Sequence, residues 1–169
     1  MSRGLVAAAA AVAVVLGAGC DSADAPTPPA VGDAGGMDMC TILNDAELSG
    51  LGIDLGTREQ VDELGVVGCQ WIGQPITLSL ERDEDTVAEY VARRDDPAFS
   101  SFRENTVHGR AGVQLSVEET PNNDCVQLMD GGPVSLSVAV ARAYSPERLP
   151  LDVCAEALRI AELIEPRLP

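Results

Sequence analysis

The chain contains no lysine and few aromatic residues: of its 169 residues, one is Trp, two are Tyr and two are Phe. Its 11 basic residues, all Arg, stand against 27 Asp and Glu, which gives a formal net charge of -16. Binding to phosphate backbones requires basic side chains gathered on one surface. The charge balance therefore argues against nucleic acid as a partner, and the shortage of aromatics predicts a mostly aliphatic core.

The sequence also lacks the short motifs that carry common chemistries. It has no C-x-x-C, G-x-S-x-G, H-E-x-x-H, P-loop, EF-hand or dinucleotide-binding pattern. Its single histidine, His108, lies in T-V-H-G-R, which is typical of a turn leading into a strand and places no nucleophile beside the ring. We predict no catalytic residue, no metal site and no cofactor, and we expect the protein not to be an enzyme.

Four acidic residues, Glu81, Asp83, Glu84 and Asp85, stand close together in the sequence. Such a group could bind a cation or supply paired carboxylates for hydrolysis. The alternative is a solvated turn in which Asp85 caps the next helix, and we favour it. Trp71, two residues after a cysteine on the same strand face, is expected to be a core residue.

The amino terminus contains the longest apolar run, thirteen residues over 4–16, preceded by Arg3. This run is shorter than the roughly 20 residues needed to span a bilayer and is typical of a signal peptide. Small residues at 17–19 directly precede Cys20, as in a bacterial lipobox, although Gly17 occupies the position where Leu is usual. We predict a signal peptide over 1–19 and lipid modification of Cys20; an ordinary secretory signal is the alternative.

The residues after Cys20 predict a tether followed by one domain. Residues 21–36 hold three prolines and three glycines with no large aromatic, which is typical of a disordered linker. We assign residues 20–36 to the lipidated cysteine and tether, and residues 37–169 to a single globular domain. Several acyl chains would anchor the protein durably to the outer face of the cytoplasmic membrane after export.

Alternation of apolar and polar residues predicts five strands, and helical spacing predicts three helices. The strands are expected over 66–73, 76–82, 112–118, 124–129 and 134–141. The helices are expected over 39–50, 85–94 and 151–163. The resulting fold class is α+β: an antiparallel sheet of about five strands with helices packed on one face.

The remaining cysteines predict two disulfides. Cys40 and Cys69 are 29 residues apart, and so are Cys125 and Cys154, so that each pair would join a helix to a strand. Of the three possible connectivities we favour these pairs, each stabilising the fold by roughly 3.5 kcal/mol in the chain-entropy model. A four-cysteine zinc site is disfavoured because no two cysteines are close in sequence.

Several short segments together resemble one family: C-T-I-L-N-D-A-E-L from Cys40, C-Q-W from Cys69, V-H-G-R-A around His108, Cys125 on a strand and D-V-C ending at Cys154. They are similar to the actinobacterial lipoproteins grouped as domain of unknown function 3558. The resemblance implies an exported, anchored, disulfide-bonded α+β domain. It implies no catalytic residue and no established activity.

These observations favour a membrane-anchored, non-enzymatic module of the cell envelope that binds an envelope protein or a small apolar ligand. A sensor-like accessory domain working with a membrane signalling protein is the alternative. A small hydrolase using His108 and the acidic residues near Asp83 is the less favoured one.

Overall fold

The computed structural model describes residues 31–117, 124–144 and 150–169. One antiparallel sheet of seven strands dominates these residues, in the spatial order β1-β2-β3-β7-β6-β5-β4. The strands are β1 (Glu59–Glu63), β2 (Val66–Ile72), β3 (Ile76–Asp83), β4 (Phe99–Val107), β5 (Arg110–Val117), β6 (Asp124–Asp130) and β7 (Ser135–Arg142).

Three α-helices accompany the sheet in the described part of the chain, and each begins at a side chain that caps it. The helices are α1 (Asp45–Gly50), α2 (Val87–Ala92) and α3 (Val153–Ile164), with short 3-10 turns at Leu55–Thr57 and Glu165–Arg167. Asn44 and Thr86 form capping boxes with glutamates three residues later, and Asp152 caps α3. None of the helices in the described ranges is long and apolar enough to cross a bilayer.

The α+β class is confirmed, whereas the strand count is higher than predicted. All five predicted strands are present, as β2, β3 and β5 to β7. The two additional strands, β1 and β4, lie at the two edges of the sheet. Each is joined to its neighbour by a tight turn with two residues at positive φ, Leu64-Gly65 and His108-Gly109. Such turns are typical of two-residue hairpins.

The main core fills the space between one face of the sheet, α1 and α3. Alternate residues of the central strands point into it, and α3 contributes its apolar stripe. Fully buried members of this core include Trp71, Leu78, Leu80, Met129, Leu136, Ile160 and Ile164.

The second helix lies on the opposite face, so the prediction that the helices share one face is wrong. Val113 pairs with Leu128 and Leu115 with Val126, which places these four side chains on the face away from α3. They form a second, smaller apolar cluster with Val87 of α2. Strand alternation alone could not assign α2 to a face, because β6 carries apolar residues on both faces, with Val126 and Leu128 on one and Cys125 and Met129 on the other.

Both predicted disulfides are present. Cys40 is bonded to Cys69 with a Cα–Cα distance of 5.1 Å, and Cys125 is bonded to Cys154 with a distance of 5.0 Å. The second bond joins α3 to β6, as expected. Cys40, however, lies in a turn before α1 rather than in a helix, because α1 begins only after the Asn44 cap.

Described residues before Met37, which lie inside the segment predicted as a tether, contact the folded domain. Ala34 is fully buried, and its amide donates to the carbonyl of Gly131 at 3.0 Å. The amide of Gly32 donates to the carbonyl of Pro169, which brings the two ends of the described chain together. Cys20 and the predicted signal peptide lie outside the described residues.

A buried arginine fixes the carboxyl-terminal end against the sheet. Arg110 is 7% exposed and contacts Glu165 through Nε at 3.0 Å. Its other nitrogens donate to the carbonyls of Asp130 and Pro169 at 2.8 and 2.9 Å. The guanidinium thus satisfies several acceptors at one place, which is the arrangement that makes a buried charge tolerable.

Candidate functional site

A groove lies on the face of the sheet that carries α2, and we call it the α2 groove. It encloses about 210 Å³. Its lining residues come from β2, β3, β5, β6, β7, α2 and the start of β4: Val66, Glu81, Asp83, Tyr90, Phe99, Leu115, Val117, Val126, Leu128, Ser137 and Ala139.

The groove exists because α2 is short and covers only part of this face. Val87 is buried, while Tyr90 and Val91 pack on the same apolar cluster at helical spacing. The cluster under the helix belongs to β5 and β6, at one side of the sheet. On the neighbouring part of the face, Glu81 and Asp83 of β3 and Ala139 of β7 are half-exposed beside the helix, whereas Ser137 of β7 is buried.

A hydrogen bond between Tyr90 and Asp83 joins the helix to the floor of the groove. The Tyr90 hydroxyl donates to Asp83 Oδ2 at 2.5 Å, and the Asp85 amide donates to Asp83 Oδ1 at 2.9 Å. Burial and the hydrogen bond to the Asp83 carboxylate raise the pKa of Tyr90 above its usual value. The Tyr90 hydroxyl therefore remains a neutral hydrogen-bond donor throughout the physiological pH range.

The second carboxylate of the groove, Glu81, has weaker partners. Burial raises the pKa of Glu81, and the neighbouring Asp83 charge raises it further, while the hydroxyls of Ser137 and Ser79 lower it. Ser137 Oγ lies 3.4 Å from Glu81 Oε2. Within the described residues no salt bridge involves Glu81 or Asp83.

A buried hydroxyl lies on the same face of the sheet as the groove. Ser135 stands opposite Asp83 in the strand register, two residues before Ser137 on the same face of β7. It is fully buried, and its Oγ makes no hydrogen bond to any described residue. A buried hydroxyl without a partner carries a desolvation cost.

The opposite wall of the groove is aromatic and aliphatic. The rings of Tyr90 and Phe99 lie 6.5 Å apart, and those of Phe99 and Phe102 lie 5.6 Å apart. Outside the groove, the Arg93 guanidinium lies over the Tyr90 ring at 4.9 Å and pairs with Asp85 at 2.5 Å. The α2 groove therefore combines an apolar wall with a floor of carboxylates and hydroxyls.

Two wider depressions lie on the other side of the sheet. One, of about 610 Å³, borders α1, Trp71 and Arg58; the other, of about 470 Å³, lies between 36–40 and the β1-β2 hairpin. More of their surface is polar than apolar, whereas the surface of the α2 groove is mostly apolar. An apolar pocket with a few converging polar groups and a perturbed carboxyl is the stronger binding-site candidate.

The structure separates the four acidic residues singled out from the sequence. Glu81 and Asp83 line the groove, and the amide of Glu84 donates to the Gly65 carbonyl. The prediction that Asp85 caps the helix is wrong: Thr86 is the cap, with Glu89 as its capping-box partner, and Asp85 instead pairs with Arg93. The T-x-x-E spacing from Thr86 to Glu89 is the sequence signal that identifies this cap.

The structure places His108 away from the α2 groove. It occupies the β4-β5 turn at a φ of 48°, and its Nδ1 lies 3.4 Å from Glu165 Oε2. His108 is not among the groove-lining residues, so the proposed pairing of this histidine with the acidic residues near Asp83 has no geometric basis here. Trp71 is 2% exposed in the main core, as expected.

The side chains of the α2 groove are suited to binding a ligand. In the described parts of the chain, no group of three or more His, Cys, Asp or Glu is placed to hold a metal ion. The groove instead presents hydrogen-bond acceptors, a phenol and apolar walls. The groove residues that sequence reasoning missed, Tyr90, Phe99 and Ser137, required knowledge of the face on which α2 packs.

The fold and groove define a disulfide-bonded α+β domain in which a partly covered antiparallel sheet carries an amphipathic groove. The chain belongs to the family described as proteins of unknown function, DUF3558, whose model matches residues 12–167. No curated protein matches the chain, and no solved structure does.

Proposed function

We propose that this protein is a cell-envelope lipoprotein, exported and held at the outer face of the cytoplasmic membrane by acyl chains on Cys20. The apolar run over 4–16, the small residues before Cys20 and the proline-rich segment after it support this proposal. The two disulfides support it independently, since such bonds persist in oxidising compartments outside the cytoplasm.

The domain functions in this proposal as a non-enzymatic binding module that takes a small, largely apolar ligand in the α2 groove. The observation that carries the proposal is the partly buried Glu81 at the floor of an aromatic-lined groove. The volume of about 210 Å³ exceeds that of an engineered cavity of about 150 Å³ that binds benzene. A single ring with a short substituent is therefore the expected size of ligand.

The membrane anchor is tested by the intact mass of protein extracted from the membranes of producing cells. The expected mass is that of residues 20–169 plus a diacylglyceryl group, with or without a further acyl chain. Cys20→Ser should lack this addition. Recovery of an unmodified amino terminus from wild-type protein would remove the anchor from the proposal.

Ligand binding is tested with 4-fluorobenzyl alcohol, a neutral probe of suitable size, by fluorine NMR on the mature chain carrying Cys20→Ser. Saturable binding is expected for this chain. Ala139→Trp should abolish it by filling the groove. Ala141→Trp is the matched control, because Ala141 lies two residues further on the same strand face but does not line the groove. Equal binding by both Trp variants would place the probe elsewhere and contradict this site.

A further inference from the structure

Among the described residues that line the α2 groove, some carry negative charge and none carries positive charge. Two of its lining residues are carboxylates, and none of the eleven is basic. Arg82, between the two carboxylates in sequence, belongs to the other face of β3, where it pairs in register with Leu136. Arg93, at the outer rim, is already paired with Asp85.

The two carboxylates differ in what remains available to a ligand. Both oxygens of Asp83 accept hydrogen bonds, from the Tyr90 hydroxyl and from the Asp85 amide. Glu81 has only serine hydroxyls as partners among the described residues, and that of Ser137 lies 3.4 Å away. A partly buried carboxylate without a cationic partner is costly, and a ligand cation placed beside it would offset that cost.

The aromatic wall favours the same charge. A cation within about 6 Å of an aromatic ring is attracted by the negative face of its π-system. Arg93 already uses one such contact, at 4.9 Å from the Tyr90 ring. The net charge of -16 adds a long-range field that attracts cations and repels anions.

Building on the proposed binding function, we propose that the α2 groove selects small apolar molecules that carry a protonated amine, with the ammonium group at Glu81 and the apolar part against Phe99 and Leu115. Arylalkyl and short branched alkyl amines are the ligand class that matches this charge and volume. Carboxylates and phosphates of the same size are excluded by the two acidic side chains.

The test compares 4-fluorobenzylamine with 4-fluorobenzyl alcohol, which share shape and ring but differ in charge at pH 7. We expect the amine to bind the Cys20→Ser mature chain at least about tenfold more tightly, the size of one charge-assisted hydrogen bond. Glu81→Gln should remove this difference, so that the amine binds this variant no more tightly than the alcohol does. Glu104→Gln, on the same face of the sheet but outside the groove, should preserve it.

A second measurement on the unaltered groove does not depend on how Glu81→Gln folds. Raising the salt concentration should weaken the amine and leave the alcohol unaffected, because salt screens partly exposed charges. Equal affinity of the two probes in the chain with Glu81 would overturn the amine proposal while leaving the binding function in place. Failure of both probes to bind would overturn both proposals.

Discussion

Tyr90 on α2 and Asp83 on β3 are joined by a hydrogen bond of 2.5 Å, although the apolar cluster on which α2 packs comes from β5 and β6 and includes no residue of β3. This contact holds α2 against the face of the sheet where the groove lies. The position of the helix, and therefore the shape of the groove, depends on it.

Tyr90→Phe should accordingly destabilise the protein by about 1–2 kcal/mol, because a partly buried carboxylate loses a donor. The measurement is the free energy of unfolding in urea. Tyr144→Phe provides the control, since Tyr144 is 89% exposed and should change stability by less than about 0.5 kcal/mol. Equal effects of the two substitutions would show that the Tyr90 contact does not stabilise the helix.

The two disulfides close loops of the same length, 29 residues, and should contribute similarly. The chain-entropy model gives roughly 3.5 kcal/mol for each. We expect Cys40→Ala with Cys69→Ala, and Cys125→Ala with Cys154→Ala, each to lower the free energy of unfolding by about this amount. Cys20→Ser should leave it unchanged. Peptide mapping without reduction checks the pairing, and a peptide linking Cys40 to Cys154 would contradict it.

Arg110 and Glu165 form the most buried ion pair among the described residues, with side chains 7% and 17% exposed. Arg110→Gln should therefore cost about 3–5 kcal/mol, because it leaves a largely buried carboxylate and two carbonyls without their donor. Arg94→Gln removes half of an exposed pair with Glu104 and should cost less than about 1 kcal/mol. Similar losses of unfolding free energy in the two variants would show that burial does not make the Arg110–Glu165 pair more important for stability than the Arg94–Glu104 pair.

The Glu47–Arg167 pair should give the protein a distinct acid response. Hydrogen bonds from the Arg167 guanidinium and the Asn44 amide lower the pKa of Glu47 from 4.5 to about 2. The lowered pKa means that ionised Glu47 stabilises the folded state. Its contribution is complete above the unfolded pKa of 4.5 and is lost as the pH falls towards 2.

The stability difference between wild type and Glu47→Gln should therefore be present at pH 6 and shrink between pH 4.5 and pH 2. Urea unfolding at several pH values measures it. In an Arg167→Gln background most of this pH dependence should disappear, because the Arg167 hydrogen bond is the largest cause of the lowered pKa. A difference that stays constant down to pH 2 would contradict the assignment.

The central strands could be predicted from the sequence because their residues alternate cleanly, as Ile76, Leu78 and Leu80 do on β3. The edge strands could not. β1 reads E-Q-V-D-E and has a single apolar residue, as edge strands that resist pairing with other chains often do. In β4 the register shifts between Phe99 and Ser101, and this irregularity hides the alternation that would have predicted a strand.

The groove was harder to predict from the sequence than the strands were. Glu81 and Asp83 were recognised as an acidic group, but their neighbours Tyr90, Phe99 and Ser137 come from three other elements. Only the placement of α2 opposite α3 brings them together. The sequence shows the amphipathic pattern of α2. The residues near α2 in the sequence do not determine on which face of the sheet the helix packs.

The central claim, that ligand binding takes place in the α2 groove, is tested most directly by mapping backbone amide shifts of the mature Cys20→Ser chain during titration with 4-fluorobenzylamine. The account predicts saturable shifts concentrated at Glu81, Phe99, Ser137 and Ala139. Saturable shifts concentrated instead around Trp71 and α1, or no saturable shift at all, would contradict it.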